Sequence, residues 1–321
     1  MKKLIIKSFL YMSVILLSLE ALVRVFYLGK DTPTRFLDEY KVEKWAPNQQ
    51  GFSVTGNRRQ NFSEFKINNS GYNSYREFTP SKNKIEVALV GDSFIEGFHQ
   101  NYYNSIGKKI ENEIPNIEVY EYGYAGYDFA DQLHLINAYR DQFDLIDYIV
   151  LGIKFSNDLT RSRYNVITDR SALESPFNKL LKKSKLIVYC KSIGILDPPL
   201  RLISQVSNLF SPESQSSNSH VNIAIESKKE IEYLKNFKKL VSLYGFDKSK
   251  YILILDSNVT NPIFLNYLDT NGYQYIDFFP SFTSTKKPTT LIYDKHWNNY
   301  GRTIIAKEIS KFLKSKLIDI K

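Results

Sequence analysis

From residue 85 onward, short apolar runs alternate with longer amphipathic stretches, and this rhythm limits the fold more than any other feature of the chain. The runs IEVALV, IEVYEY, DYIVLGI, YILILDS and YQYIDFF have the length and the β-branched and aromatic content of buried strands. Helix-like stretches separate them: one running to Ile114, one around residues 132–139, one at about 227–244 and a last at about 299–317. Strands joined by helical crossovers pair in parallel and are covered on both faces. The pattern therefore predicts an α/β chain whose main domain, residues 81–321, is a three-layer α/β/α sandwich with about five parallel strands. The rhythm stops at about 160–225, where a basic amphipathic stretch, NKLLKKSKLIVYC, is followed by Pro198 and Pro199 and by SPESQSSNSH. That segment reads as an insertion or lid.

The first 27 residues are a different kind of sequence. Lys2, Lys3 and Lys7 precede FLYMSVILLSLEALVRVFYL, an apolar stretch broken only by Glu20 and Arg24. Its length suits a helix that spans a bilayer, and the lysines before it favour a cytoplasmic N-terminus. No small-x-small cleavage site ends the run, so the expectation is an uncleaved single-pass anchor, residues 1–27, crossing the cytoplasmic membrane through residues 8–27. Everything after Tyr27 then lies on the extracytoplasmic side. Glu20 and Arg24 stand four apart, hence on one helix face, where they can pair. Residues 28–80 are polar, aromatic and turn-rich, with no sustained period, and read as a tether and lead-in.

At 321 residues and 43% hydrophobic the chain can bury a full core. The single Cys190 excludes an internal disulfide framework and any multi-cysteine metal site. A net charge of +9 invites a nucleic-acid reading, but the lysines are scattered and no nucleic-acid motif accompanies them. An anionic membrane surface or an acidic glycan accounts for the charge equally well. No metal cluster or phosphate loop is present, so no cofactor is expected.

Four pieces at strand ends carry chemistry. The first strand closes with LVGDSFIEG, which puts Ser93 at a strand-to-helix junction on the carboxyl edge of the sheet, where open α/β sheets place their sites. The second closes with EYGYAGYDF, offering Gly123 and Gly126, whose backbone N–H groups can approach a ligand closely. The third closes with LGIKFSNDL, placing the Asn157 amide at the same edge. The fourth piece, IYDKHWNNYG before the last helix, holds Asp294 and His296. A serine hydroxyl needs a base to lose its proton, and a carboxylate that orients the imidazole improves that base. The other three histidines fit less well: His220 sits in the serine-rich stretch, His134 inside a helical pattern, and His99 after the helix that Ser93 opens, without a neighbouring carboxylate at comparable spacing. Taken singly, each piece is also an ordinary turn or helix cap.

Taken in order, GDS, a paired-glycine turn, ND and D-x-H-W-N, the chain resembles the SGNH/GDSL hydrolase superfamily over about residues 85–317. The resemblance implies a flavodoxin-like fold, with Ser93 as nucleophile, His296 as base and Asp294 orienting the imidazole. It also implies an oxyanion hole from the backbone amides of Ser93 and Gly126 and the side-chain amide of Asn157. Three positions depart from the family's pattern. Tyr293 stands where the commonest motif has the aspartate, leaving Asp294 one residue closer to His296. That D-x-H-W form resembles branches acting on acyl groups of bacterial exopolysaccharides. Glu121 and Phe155 replace an asparagine and a glycine of the second and third blocks.

The expected function is a serine esterase or O-acyl hydrolase acting on acylated cell-envelope carbohydrate through an acyl-serine. The alternatives are an O-acetyltransferase using the same site, a lipid-directed esterase, and a catalytically silent glycan-binding relative. Expected partners are the acylated carbohydrate or other ester, the membrane and polysaccharide-assembly proteins, with no nucleic acid. Tyr122, Tyr124, Tyr127, Tyr164 and Trp297 are expected to offer flat faces to sugar rings, with acetyl as the acyl group. The topology is testable at once. Alkaline phosphatase fused after Lys30 should be active in cells, whereas a reporter that works only in the cytoplasm should be silent at that junction, and the reverse pattern refutes the orientation.

Overall fold

The computed structural model describes residues 1–56, 59–168, 170, 173–195, 219–292 and 294–318. Helix α1 (Lys2–Val25) is long and apolar enough to cross a membrane, with a mean hydropathy of 1.8 and none of its apolar window buried, features it shares with a signal sequence. Two antiparallel hairpins follow: β1 (Arg35–Leu37) with β2 (Glu43–Trp45), and β3 (Gln50–Thr55) with β4 (Asn61–Lys66). The stretch read as a tether and lead-in thus contains two hairpins, which pack on the domain through Trp45, Phe65, Ile67, Tyr72 and Phe78.

The α/β alternation then runs β5 (Ile85–Gly91), α2 (Ser93–Glu96), α3 (Ile106–Glu113), β6 (Ile117–Gly123), α4 (Phe129–Ala138), α5 (Arg140–Phe143), β7 (Tyr148–Gly152) and α6 (Phe155–Asp158). Two short helices, α7 (Pro176–Lys183) and α8 (Lys185–Ser192), occupy the expected insertion. Ser175 and Ser184 cap them by accepting from the Asn178 and Ile187 N–H groups, so the basic stretch breaks at Ser184 rather than continuing as one helix. Pro198, Pro199 and residues 211–218 lie outside the described residues. The chain continues with α9 (Ser219–Tyr244), β8 (Tyr251–Leu255), α10 (Pro262–Thr270), β9 (Gln274–Asp277), α11 (Phe279–Thr283) and α12 (Asn299–Ile318).

The five strands read from the sequence form one parallel sheet of order β6-β5-β7-β8-β9, the doubly wound order of flavodoxin-like folds. Successive strand residues point to opposite faces, and both faces are buried. Val87, Leu89, Val119, Val150 and Ile252 face α3 and α12 through Ile106, Ile110, Ile305, Ile309 and Leu313. Ala88, Val90, Tyr120, Leu151 and Leu253 face α4, α9 and α10 through Phe129, Leu133, Phe237, Phe264 and Leu268. The connections that leave β5 and β7 run toward opposite edges of the sheet, and the crevice between the carboxyl ends of these two strands is where such folds bind ligands. Ser93 stands at that crevice.

Candidate active site

Asp92 starts α2 by accepting the Phe94 N–H at 2.9 Å, so Ser93 is the first helical residue and its own N–H has no intrahelical acceptor. Gly123 lets α2 lie directly on β6, since a Cβ there would sit 2.0 Å from the Glu96 nitrogen. The Ser93 hydroxyl is 2.7 Å from His296 Nε2 although 203 residues separate them. His296 Nδ1 is hydrogen-bonded to Asp294 Oδ1. A carboxylate carries no proton to give, so Nδ1 holds the hydrogen and Nε2 is left as the acceptor facing the serine. Asp294 is held below the ordinary carboxylate range: burial alone would raise it, and the hydrogen bond from His296, with the charges of His296 and His99, outweighs that.

His99, set aside on sequence grounds, belongs to this group. Its Nε2 donates to Asp294 Oδ2 at 2.9 Å, and its ring stacks on His296 with centroids 4.2 Å apart. Phe94 also stacks on His296, at 4.5 Å. Burial and the charge of His296 push His99 down to about 4, against the pull of Asp294, so it stays neutral at physiological pH. Because 195 residues separate His99 from Asp294, no local spacing could reveal the pair.

The other sequence-derived residues are placed differently. Gly126 takes φ +93°, as the turn closed by Tyr127 N–H on Tyr124 O demands, and its carbonyl accepts from Arg170. Asn157 is exposed on α6 and donates to Asp158 Oδ1 at 3.0 Å. Neither Gly126 nor Asn157 hydrogen-bonds to Ser93 or His296. The tyrosines expected to face sugar rings do not do so: Tyr122, Tyr124 and Tyr127 are buried, and the last two donate to Glu43. Trp297 is buried as well, and the Tyr164 ring stacks on His134 at 3.8 Å. Packing of residues 45–78 onto the sheet consumes the faces of Tyr122, Tyr124 and Tyr127, whereas Trp297 packs edge-on against Phe94 and Phe278.

Beneath the site lies a polar layer. The fully buried Arg302 donates from Nη1 to the Phe94 carbonyl at 2.9 Å and from Nε to the Trp297 carbonyl at 3.3 Å, tying together the residues that follow Ser93 and His296. Burial pushes it down to about 10, against the carboxylates of Glu121, Asp92 and Glu96. Glu96 accepts from Trp45 Nε1 at 2.7 Å and from the Ala125 N–H at 3.1 Å, bracing the turn that contains Gly126. Burial pushes Glu96 and Glu121 up to about 7.

A cavity of about 330 Å³ opens at the β5–β7 crevice, lined by Asp92 and Phe94 on either side of Ser93 and by Lys295 and Trp297 on either side of His296. Its walls are chiefly apolar, among them Phe94, Ile153, Ile254, Phe278 and Trp297. Lys154 Nζ lies 2.7 Å from Asp92 Oδ2 at its edge, and 3.7 Å from the centre of the Phe94 ring.

No protein-family model and no curated protein matches the chain. Among solved structures it is similar to a lipase/acylhydrolase from Enterococcus faecalis, at 12% identity and TM-score 0.40, covering 72% of this chain and 96% of that one. It is also similar to a catalytic mutant of an acetylxylan esterase from Geobacillus stearothermophilus, at 13% identity and TM-score 0.34, covering 73% of this chain and 95% of that one. A third is a two-domain esterase active on acetylated mannans, at 10% identity and TM-score 0.38, with 72% of this chain and 49% of that one covered. With TM-scores below 0.5, these likenesses leave function to the geometry of the site.

The buried carboxylates set a pH dependence of stability. A carboxyl raised in the folded state contributes fully below its ordinary value of 4.5 and loses that contribution as pH rises through about 7. His99, lowered to about 4, acts in the opposite sense and has reached its plateau above its ordinary 6.5. Between pH 6.5 and 8 the carboxylates therefore dominate, each removing about 1 kcal/mol. Thermal unfolding of the full-length protein in detergent should shift to lower temperature over that interval, with a shallower slope in Glu96→Gln. An identical slope in the variant would mean that Glu96 is already ionised in the folded protein at neutral pH.

Proposed function

We propose that the chain is a serine ester hydrolase that works through an acyl-serine intermediate. The observation that carries this reading is the chain of hydrogen bonds from Ser93 through His296 to Asp294. It gives the hydroxyl a base and the base an orienting carboxylate. As Ser93 Oγ attacks an ester carbonyl, its proton passes to His296 Nε2 and the imidazolium is stabilised by Asp294. The tetrahedral oxyanion is met by the Ser93 and Gly126 N–H groups and by the Asn157 amide, which must turn from Asp158 to reach it. Collapse expels the alcohol, which takes the proton from His296, and water activated by the same imidazole releases the acid.

The substrate we assign is acylated carbohydrate of the cell envelope, with the catalytic domain held outside the cytoplasmic membrane by α1. Transfer of the acetyl group to a polysaccharide hydroxyl uses the same acyl-serine and differs only in the acceptor, as would be the case in an assembly with polysaccharide-building proteins. One observation favours a second substrate class. The apolar cavity beside Ser93 has more room than an acetyl group fills, which suits a longer acyl chain and a lipid ester. A silent glycan-binding role is disfavoured, because binding alone requires no serine aligned with a carboxylate-held histidine.

His99 acts in this reading as a positioning residue: it holds the second oxygen of Asp294 and the face of His296, and touches no reacting atom. Replacing it by alanine should lower kcat on the order of ten-fold or more with KM little changed, the cost of one hydrogen bond to a charged group. His99→Gln, which keeps an N–H donor, should recover part of the loss, and recovery by neither variant would leave His99 a packing residue. Asn157→Ala should cost on the order of 100-fold if its amide serves the oxyanion, and about two-fold if it serves Asp158 alone.

The direct test is covalent. A fluorophosphonate should label Ser93, as read by mass spectrometry, and labelling should collapse in His296→Ala, since only an activated serine traps the reagent. Adducts elsewhere, or undiminished labelling of the variant, overturn the assignment. With aryl esters of rising chain length, turnover highest for acetyl and falling beyond butyryl fits the carbohydrate substrate, whereas a maximum at longer chains identifies the lipid ester.

A further inference from the structure

Glu20 and Arg24 are the charged interruptions in the apolar run of α1, and the structure uses both to hold the insertion. The Glu20 carboxylate accepts from the Ser184 hydroxyl at 2.9 Å, the Lys185 N–H at 2.9 Å and the Leu186 N–H at 2.8 Å. It thereby caps the positive end of α8. Arg24 pairs with Glu20 at 2.7 Å and donates to the Lys183 carbonyl at 2.7 Å, the last residue of α7. Helix α8 continues the contact below α1: Lys185 Nζ binds Asp31 and the Lys30 carbonyl, and a Cβ on Gly29 would meet the Lys185 carbonyl at 2.8 Å.

This docking fixes where α7 and α8 lie relative to a bilayer. At 1.5 Å per residue, Glu20 stands about 26 Å along the helix from Lys3, close to the thickness of a hydrocarbon core of about 30 Å. With the lysines at the inner headgroups, Glu20 and the N-terminus of α8 reach the outer boundary of the hydrocarbon. At that level α7 presents an exposed apolar stripe of Pro176, Phe177 and Leu180, with Phe177 and Leu180 68% and 63% exposed and Leu173 exposed in the turn before it. Lys179 and Lys183 are exposed on the flank of the same helix. An apolar stripe with lysines at its side is the pattern of a helix lying in the plane of a membrane interface.

We propose that α7 and α8 form a collar around the outer end of α1, with Phe177 and Leu180 entering the headgroup layer and Lys179 and Lys183 meeting anionic lipid. The inference rests on α1 crossing the bilayer, and it is independent of the ester chemistry. It gives the insertion a task that a roof over the active site would not, and it seats the domain on the outer leaflet instead of leaving it on a loose stem.

Nitroxide labels on the full-length protein in nanodiscs measure the collar's depth. With Cys190→Ser as background, labels are placed at Leu180→Cys, at Val14→Cys within α1 and at the exposed, distant Ile263→Cys of α10. In discs containing phosphatidylglycerol, the label at 180 should relax several-fold more with oxygen than with a water-soluble nickel complex, approaching the label at 14. In purely zwitterionic discs that preference should weaken as the lysines lose their partners. A label at 180 that behaves like the one at 263 places α7 in water, and one shielded from both reagents places it under protein. Either result overturns the collar. A nickel-accessible label at 14 overturns it at its premise, while Ser93 labelling in the same discs reports separately on the enzyme reading.

Discussion

The placing of Ser93 against His296 depends on one buried cation. Arg302 bonds the carbonyls of Phe94 and Trp297, one residue beyond the serine and one beyond the histidine, and so fixes the spacing of two loops far apart in the chain. A guanidinium without exposure is costly to bury, and a neutral side chain would be cheaper were packing the only requirement. What a neutral side chain lacks is a rigid fork of donors that meets two carbonyls at fixed angles. The surrounding acids are Glu121, Glu96 and Asp92, and the first two are raised toward neutrality by the same burial. Cation and acids thus form one unit, in which each group's burial is tolerated because the others are present.

That unit extends into the segment before the sheet. Trp45 donates to Glu96, Asn73 donates to the Glu96 carbonyl, and Ser63 and Asn61 donate to the carbonyls of Phe98 and His99. The hairpins and the turn after them therefore brace α2 and the loop carrying His99 from the side opposite α12. The rigid layer below and around the serine leaves the β5–β7 crevice as the opening, and the apolar cavity lies there.

The end of the molecule where α1 meets the insertion is organised by the same device, a charged group satisfied by backbone. Glu20 is tolerated near the end of an apolar helix because it caps α8, and Arg24 because it reaches Glu20 and the Lys183 carbonyl. Helix α1 and the insertion thereby share one interface, and their relative placement follows from packing rather than from the length of a linker.

Local periodicity determined the five strands, their parallel pairing and the helices between them, because a strand buried on both faces must be continuously apolar and a crossover helix amphipathic. It also placed Ser93, Asp294 and His296 at the ends of elements on one edge of the sheet, where proximity follows from topology alone. The hairpins of residues 28–80 were not legible. Two of their strands are three residues long and β4 carries Phe62 and Phe65 on opposite faces, so no sustained alternation marks them, and their partners lie on the sheet rather than along the chain. The contact of His99 with Asp294, the fork of Arg302, the burial of Tyr122, Tyr124 and Tyr127, and the turning of Asn157 toward Asp158 were decided by tertiary structure. A side chain's partner across two hundred residues is chosen by which groups remain unsatisfied once the sheet has closed, and that remainder exists only in the folded molecule.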